Sequence, residues 1–399
     1  MTAEAAARAA DRAARQSYGR LVASLSMRSR NIAAAEDALG EAFRAALEHW
    51  PVSGIPDVPE AWLLTAARRV LGKAERRRQV SAMAEPELLR QVEETLAMLE
   101  TEPDRFHDER LKLMFVCAHP AIDAAAQTPL MLQTVLGLDA ARIAAAFLEQ
   151  PATMGQRLVR AKARIRDTGL RFAVPEADEL PERLEAVLQA IYAAFTAGWD
   201  DGGPLSGEAI WLGRTLLALM PQEPEVQGLV ALMLYCEARK GARRAAGFVP
   251  LDRQDPGLWD GAMMAEGDGL LRAAGAANRF GRFQCEAAIQ SVHAARRLTG
   301  ETDRRALRML YAALVRMSPA IGARVGQAAV AEPEDGLALL AAVPEKLAAG
   351  YQPFHAVRAE LLRRLGRAAE ARAAYVRAVE LSPDPELRQF LWTRMAELA

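Results

Sequence analysis

The sequence predicts an all-α protein, and two observations carry that reading. Alanine, leucine, arginine and glutamate dominate the 399 residues, and the first three of these are among the residues that lose least on entering a helix. The β-branched runs with period-two alternation that a strand requires are missing. Apolar residues make up 51% of the chain and charged residues 25%, the balance of a globular protein and not of a disordered one. At roughly 150 residues per domain the length gives two or three domains. Lys and Arg number 50 against 51 Asp and Glu, a net charge of −1, so the global charge names no partner and only local asymmetry informs.

The N-terminal stretch, Met1 to Arg20, is alanine-rich but interrupted by Glu4, Arg8, Asp11, Arg12 and Arg15. It therefore lacks the apolar core of a secretory leader. No run of about 18 apolar residues occurs, which argues against membrane spanning. Three cysteines, Cys117, Cys236 and Cys285, lack the spacing of a disulfide framework or a zinc knuckle and fit a reducing, cytoplasmic compartment. A second helical stretch is expected to break at Pro51, Gly54, Pro56 and Pro59. Residues 68–78 then carry six basic side chains and one acid, net +5. Residues 85–104 carry seven acids and one arginine, net −6, between Pro86 and Pro103, and read as an acidic tether, partly helical over 88–99. The main domain boundary is expected near Pro175 to Pro181, and Gly202-Gly203-Pro204 forces a further turn.

A second basic window, residues 157–171, again has net +5. A basic helix alone reads equally as a solvated face, but here the context is specific. Leu138 to Phe147 forms a short amphipathic helix, Leu148-Glu-Gln-Pro151 a turn, and residues 152–166 a second helix, the anatomy of a helix-turn-helix. Leu158, Ala161 and Ile165 recur at helical spacing and pack inward. That leaves Gln156, Arg157, Arg160, Lys162 and Arg164 for a groove and its phosphates, with Thr153 near the helix start, where base edges are met.

These residues resemble a known family: bacterial sigma-70 factors of the extracytoplasmic-function group, in the subgroup with a long tetratricopeptide-like C-terminal extension. Ala35-Glu-Asp-Ala-Leu-Gly-Glu-Ala-Phe43, Ala46-Leu47, Trp50-Pro51, Pro59 and Ala61-Trp-Leu63 are similar to sigma region 2. Asp108-Glu-Arg-Leu-Lys-Leu-Met-Phe115, Cys117-Ala-His-Pro120 and residues 152–162 resemble the subgroup's region 4. Leu251, Gln254-Asp255, Trp259-Asp260, Glu266-Gly267, Gln284, Ala287-Ala-Ile289 and Val292-His-Ala294 resemble its extension. The chain departs from the pattern at Gly40, where Gln is usual, at Arg69 and Lys73, where Asn and Asp are usual, and at Thr196-Ala-Gly-Trp199, where Asn-Glu-Gly-Tyr is usual.

The resemblance implies region 2 over residues 10–84, a linker over 85–105, region 4 over 106–174 and the extension over 180–399. It implies a transcription initiation factor without catalysis of its own, whose partners are core RNA polymerase and promoter DNA. Asp37 and Glu41, four residues apart on one helix, are expected to meet polymerase with Phe43 packed behind them. Trp62 is either core or a platform for an unpaired base. Arg68, Arg69, Lys73, Arg76 and Arg77 suit the negative strands near a melted bubble. The acidic tether is either a soluble spacer or a mimic of nucleic acid in the polymerase channel.

In the extension, Ala359, Gly366, Ala371, Tyr375, Ala378 and Pro383 fall at the small, turn, small, aromatic, small and proline positions of a 34-residue tetratricopeptide unit. Ala295, Tyr311 and Pro319 form a weaker echo earlier in the chain. Stacked helix pairs of this kind offer a groove for a protein or peptide ligand, although packing explains the small residues equally well. No catalytic constellation, Walker loop, dinucleotide fingerprint, metal site or cofactor site is expected. Asp200-Asp201 reads as a turn former beside Gly202, and His119 beside Cys117 lacks the partners of a zinc site. Two competing readings stand beside the initiation factor: a helix-turn-helix regulator that no longer binds polymerase, and a helical-repeat scaffold.

Overall fold

The computed structural model describes residues 2–82, 109–147, 149–176, 178–201 and 205–398. The acidic tether and the Gly202-Gly203-Pro204 turn lie outside these residues. Among the described residues the fold is all-α, with no strand beyond one isolated bridge between Ala245 and Gly247. No described helix is long and apolar enough to cross a membrane. The chain divides into two compact units, Met1–Thr196 and Ala197–Ala399, so the proline joint at Pro175 to Pro181 falls inside the first.

The first unit opens with α1 (Ala3–Ser29), started by Thr2, whose hydroxyl accepts from the Ala5 N–H at 3.3 Å, and stopped by Arg30 in the left-handed region at φ 52°. Its buried face is built from Ala6, Ala9, Ala10 and Ala13, then Leu21, Val22 and Leu25, so neighbouring backbones approach closely along its first half. Asn31 caps α2 (Ile32–Ser53) by accepting from the Ala34 N–H at 3.1 Å. Contrary to the sequence expectation, Pro51 does not break α2. The helix runs on to Ser53 and ends at Gly54, whose φ of 96° suits glycine. Proline within the last turn removes only one hydrogen bond, whereas the positive φ three residues later does the stopping. α3 (Pro59–Ala82) begins on a proline, as helices tolerate, and α1, α2 and α3 pack on one another.

α4 (Glu109–Cys117) and α5 (Ala124–Thr134) follow and lie against α1. A Cβ on Gly19 of α1 would stand 1.7 Å from the Val135 carbonyl oxygen, so only glycine permits that approach. α6 (Ala140–Ala146) is capped by Asp139, which accepts from the Arg142 N–H at 2.8 Å. α7 (Pro151–Thr168) has proline in its first turn and ends at Gly169, φ 62°. α8 (Leu180–Asp201) contains the division between the units, and Asp200 and Asp201 lie in its last turn rather than in the turn the sequence suggested.

The second unit is built around α10 (Pro224–Glu237), in which every residue from Pro224 to Tyr235 except Glu225 is buried. α9 (Leu205–Leu219), α12 (Gly261–Ala276) and α13 (Arg282–Ala294) pack on it, while the short α11 (Lys240–Arg243) and two 3-10 turns, Leu251–Arg253 and Pro256–Leu258, bridge α10 to α12. Glu225 joins α10 to α13: its carboxylate accepts from the N–H groups of Phe283 at 2.9 Å and Gln284 at 3.1 Å, capping α13 from outside. A Cβ on Gly228 would meet the Gln284 nitrogen at 2.6 Å, so the two helices cross backbone to backbone.

From α13 onward each long helix packs on the next. α14 (Arg296–Thr299) is a single turn; α15 (Arg304–Met317), α16 (Ile321–Val330), α17 (Pro333–Ala341), α18 (Glu345–Ala348), α19 (Gln352–Arg364), α20 (Ala368–Glu380) and α21 (Pro385–Ala396) complete the chain. Ala359, Ala371, Tyr375 and Ala378 share one buried cluster between α19 and α20, and Gly366 turns the chain between them at φ 71°. Tyr311 packs on the bare backbone of Gly326, but Ala295 is exposed at the end of α13, so it does not repeat the packing of Ala359.

Candidate nucleic-acid interface

The sequence of α7 divides its surface cleanly. Met154, Leu158, Ala161 and Ile165 are buried against α5 and α6, and each of the three larger side chains is worth ~1.5–3 kcal/mol on leaving water. On the opposite face Thr153, Gln156, Arg160 and Arg164 are exposed. Val159, 68% exposed among them, is a residue the sequence reading passed over; its position beside Gln156 and Arg160 was its only signal. Arg164 donates from Nε to the Ala121 carbonyl at 3.3 Å, which steadies its side chain while the residue stays exposed.

Two basic residues of the set have other work. Lys162 does not stand with the outward group: its Nζ reaches Glu36 of α2 at 2.5 Å, with only 12% and 17% of the two side chains exposed. This corrects its placement with the groove-facing residues, because an amine held by a carboxylate at that depth cannot also reach a phosphate. Burial pushes the Glu36 carboxyl above its ordinary range even though Lys162 pulls it back down. Arg157 spans the turn between α6 and α7, donating to Glu149 at 2.9 Å and to the Ala125 carbonyl at 3.3 Å. It is half-buried and braces the turn.

On α2, Asp37 and Glu41 are both exposed on one face, and Phe43 is half-buried on the same helix. Glu41 is paired with Arg44 at 2.6 Å, which also reaches Glu48 at 2.8 Å, whereas Asp37 stands outside this group of paired charges. Along α3, Arg69, Lys73 and Arg76 are exposed and Arg68 is half-buried, while the side chain of Arg77 lies outside the described residues. Trp62 is half-buried with its ring edge-on to the fully buried Trp50, centroids 5.6 Å apart and planes at 69°. That contact anchors Trp62 in the core of α2 and α3 and leaves only part of its surface for a base.

Cys117 is fully buried, its thiol 3.7 Å from the Thr134 hydroxyl and pushed up to about 12 by burial, so it is inert at neutral pH. His119 accepts the Ala121 N–H on Nδ1 at 3.0 Å and turns the chain between α4 and α5. Among the described residues no group of His, Cys, Asp or Glu is arranged to hold a metal ion.

Fold and surface thus define an all-helical chain whose first unit presents a basic-faced helix and whose second unit is a succession of packed helices. Residues 183–275 match a family of unknown function, DUF6596. Over 386 residues the chain is 37% identical to uncharacterized protein R00370 of Rhizobium meliloti (strain 1021), covering 93% of this chain and 91% of that one, and it belongs to the same family. No solved structure matches it.

Proposed function

We propose that the chain is a promoter-specificity subunit that binds core RNA polymerase through α2, reads promoter DNA through α7, and is regulated in cis by its helical extension. The observation that carries this reading is the two-sidedness of α7: one face is sealed by Met154, Leu158, Ala161 and Ile165, and the other offers Thr153, Gln156, Arg160 and Arg164. A helix divided in this way, following closely on a short helix, suits a major groove, with polar side chains at base edges and arginines on phosphates. The exposed Val159 suits contact with a thymine methyl. Arg69, Lys73 and Arg76 on α3 supply positive charge for a separated strand, and Asp37 with Glu41 supplies an acidic face for polymerase.

The finer division into sigma regions 2 and 4 and a tetratricopeptide-like extension belongs to the same proposal, supported by the sequence resemblance and by the α19–α20 pair. A cytoplasmic location follows from the role. The test is chromatography of the purified chain with core RNA polymerase. Co-elution is expected, and reversal of Asp37 and Glu41 to lysine should abolish it with helical content intact. Co-elution untouched by the reversal contradicts binding through α2. Gly40, Arg69 and Lys73 favour a second reading, a DNA-binding regulator that has lost polymerase; DNA binding without co-elution would select it.

A further inference from the structure

The second unit holds two guanidinium groups that have no carboxylate partner, one buried and one partly exposed. Arg239, just after α10, is 5% exposed. Its Nε donates to the Tyr235 carbonyl at 3.0 Å, its Nη2 to the Gln290 side-chain oxygen and, at 3.9 Å, toward the Cys236 sulfur, and its Nη1 is buried with no acceptor. Arg296 lies 5.1 Å above the Trp259 ring and donates to two neutral acceptors, the carbonyls of Asp252 at 2.8 Å and Gln254 at 2.7 Å. Trp259 is 4% exposed, and its Nε1 also lacks an acceptor. The segment bearing it is fastened beside Arg239 by the Asp260 N–H, which donates to the Ala238 carbonyl at 2.9 Å.

His293 on α13 completes the cluster. Burial first, and then the charges of Arg239 and Arg296, push its pKa down to about 4, so the imidazole is neutral at pH 7 and offers one N–H donor. Of the nearby acids, Glu286 pairs with Arg282 at 2.8 Å, Asp268 accepts the Tyr235 hydroxyl, and Glu237 pairs with Lys240 at 3.1 Å through one oxygen while its other is buried without a donor. One buried cation beside a second, partly exposed one, two idle donors and a histidine that is neutral at pH 7 describe a place short of one negative charge.

We propose that Arg239, Arg296, Trp259 and His293 form a binding site for a small oxyanion, a carboxylate or a phosphate. The anion accepts from Arg239 Nη1, Trp259 Nε1 and the imidazole N–H and supplies the missing countercharge. Because these groups come from the end of α10, the 251–260 segment and α13–α14, an occupied site ties three parts of the second unit together. The proposal does not rest on the promoter reading.

The test is a titration of the full chain, labelled at its histidine rings, with inorganic phosphate and separately with succinate, followed by nuclear magnetic resonance at constant ionic strength set with chloride. The chain has five histidines, so the His293 resonance is assignable by a His293→Gln variant. A saturable shift of His293 with either anion is expected, with its pKa raised by about one or more as the arginines are neutralised. Phosphate alone, succinate alone or both acting identifies the ligand chemistry and supports the site. Arg239→Met should remove the response, and Trp259→Phe, which keeps a ring under Arg296 and deletes one donor, should weaken it several-fold. The proposal is overturned if neither anion produces saturation up to tens of millimolar, if chloride alone reproduces the shift, or if both variants respond as the native chain does.

Discussion

Lys162 reaches Glu36 with both side chains nearly out of water, and the energetics of that pair govern substitution at either end. Removing one partner from a buried pair leaves a charge without compensation, so Lys162→Met is expected to cost about 3 kcal/mol at pH 7 in urea unfolding. The pH dependence has a definite sign. The folded-state pKa of Glu36 already lies above its ordinary value, so the penalty of keeping it charged is fully present above that pKa and is relieved as pH falls through it toward the ordinary value. The cost of Lys162→Met should therefore shrink on acidification, and adding Glu36→Gln should recover most of it at pH 7; a cost independent of pH would count against the pair. Arg160 and Arg157 separate in another way. Arg160→Ala should weaken DNA binding by ~1–3 kcal/mol with lost base preference, or uniformly with a salt slope smaller by about one. Arg157→Ala should act mainly on stability, since its guanidinium already holds Glu149 and the Ala125 carbonyl, and equal losses of DNA affinity for the two would refute that division. Residue by residue, the buried seam of α7 was legible because its period lies within one window. The fate of Lys162 was not, because α2, more than a hundred residues earlier, decides it.

Helices in this chain are set by what they meet as much as by their own composition. Gly19 and Gly40 illustrate the point, since both are helical and only one is confined. A Cβ at Gly19 collides with the Val135 carbonyl, whereas one at Gly40 meets nothing within 4 Å. Gly19→Ala should thus cost about 3 kcal/mol through forced displacement of α5 from α1, and Gly40→Ala should stabilise by roughly 0.5–1 kcal/mol through helix propensity. Thermal unfolding of the two variants checks both signs, and a neutral Gly19→Ala would mean that the α1–α5 approach is looser than described. The same contrast explains where element boundaries were misread. Pro51 and the Asp200-Asp201 pair look like breakers in isolation, but each sits in a final helical turn where a missing donor or a turn-forming side chain is tolerated. Gly54, at positive φ, is the stop that composition alone could not rank above the neighbouring prolines, whereas Gly366 stands at the turn position the repeat pattern gave it. Glu225, which caps α13 across about sixty residues, left no local signal at all.

At the scale of the whole molecule the all-helical class was legible from composition, and the α19–α20 pair from its small and aromatic positions, while the earlier echo does not extend to Ala295, which is exposed. The distribution of charge along the chain marks the acidic stretch at 85–104, and those residues lie outside the described structure. Ala371 is fully buried between α19 and α20, so Ala371→Arg should cost several kcal/mol by overpacking and desolvation. The loss should fall on the second unit: a lower unfolding midpoint there, with DNA affinity of the first unit unchanged, is the expected outcome, and a uniform loss across both units would show them to be coupled. The central claim is that this chain directs polymerase to promoters. It is tested most directly by transcription in vitro from a genomic DNA template with core RNA polymerase, the purified chain and no other specificity factor, mapping the 5′ ends made. The account predicts a small set of discrete start sites that disappear with Arg160→Ala and with the Asp37→Lys, Glu41→Lys double variant. Transcripts no different from those of core polymerase alone would contradict it.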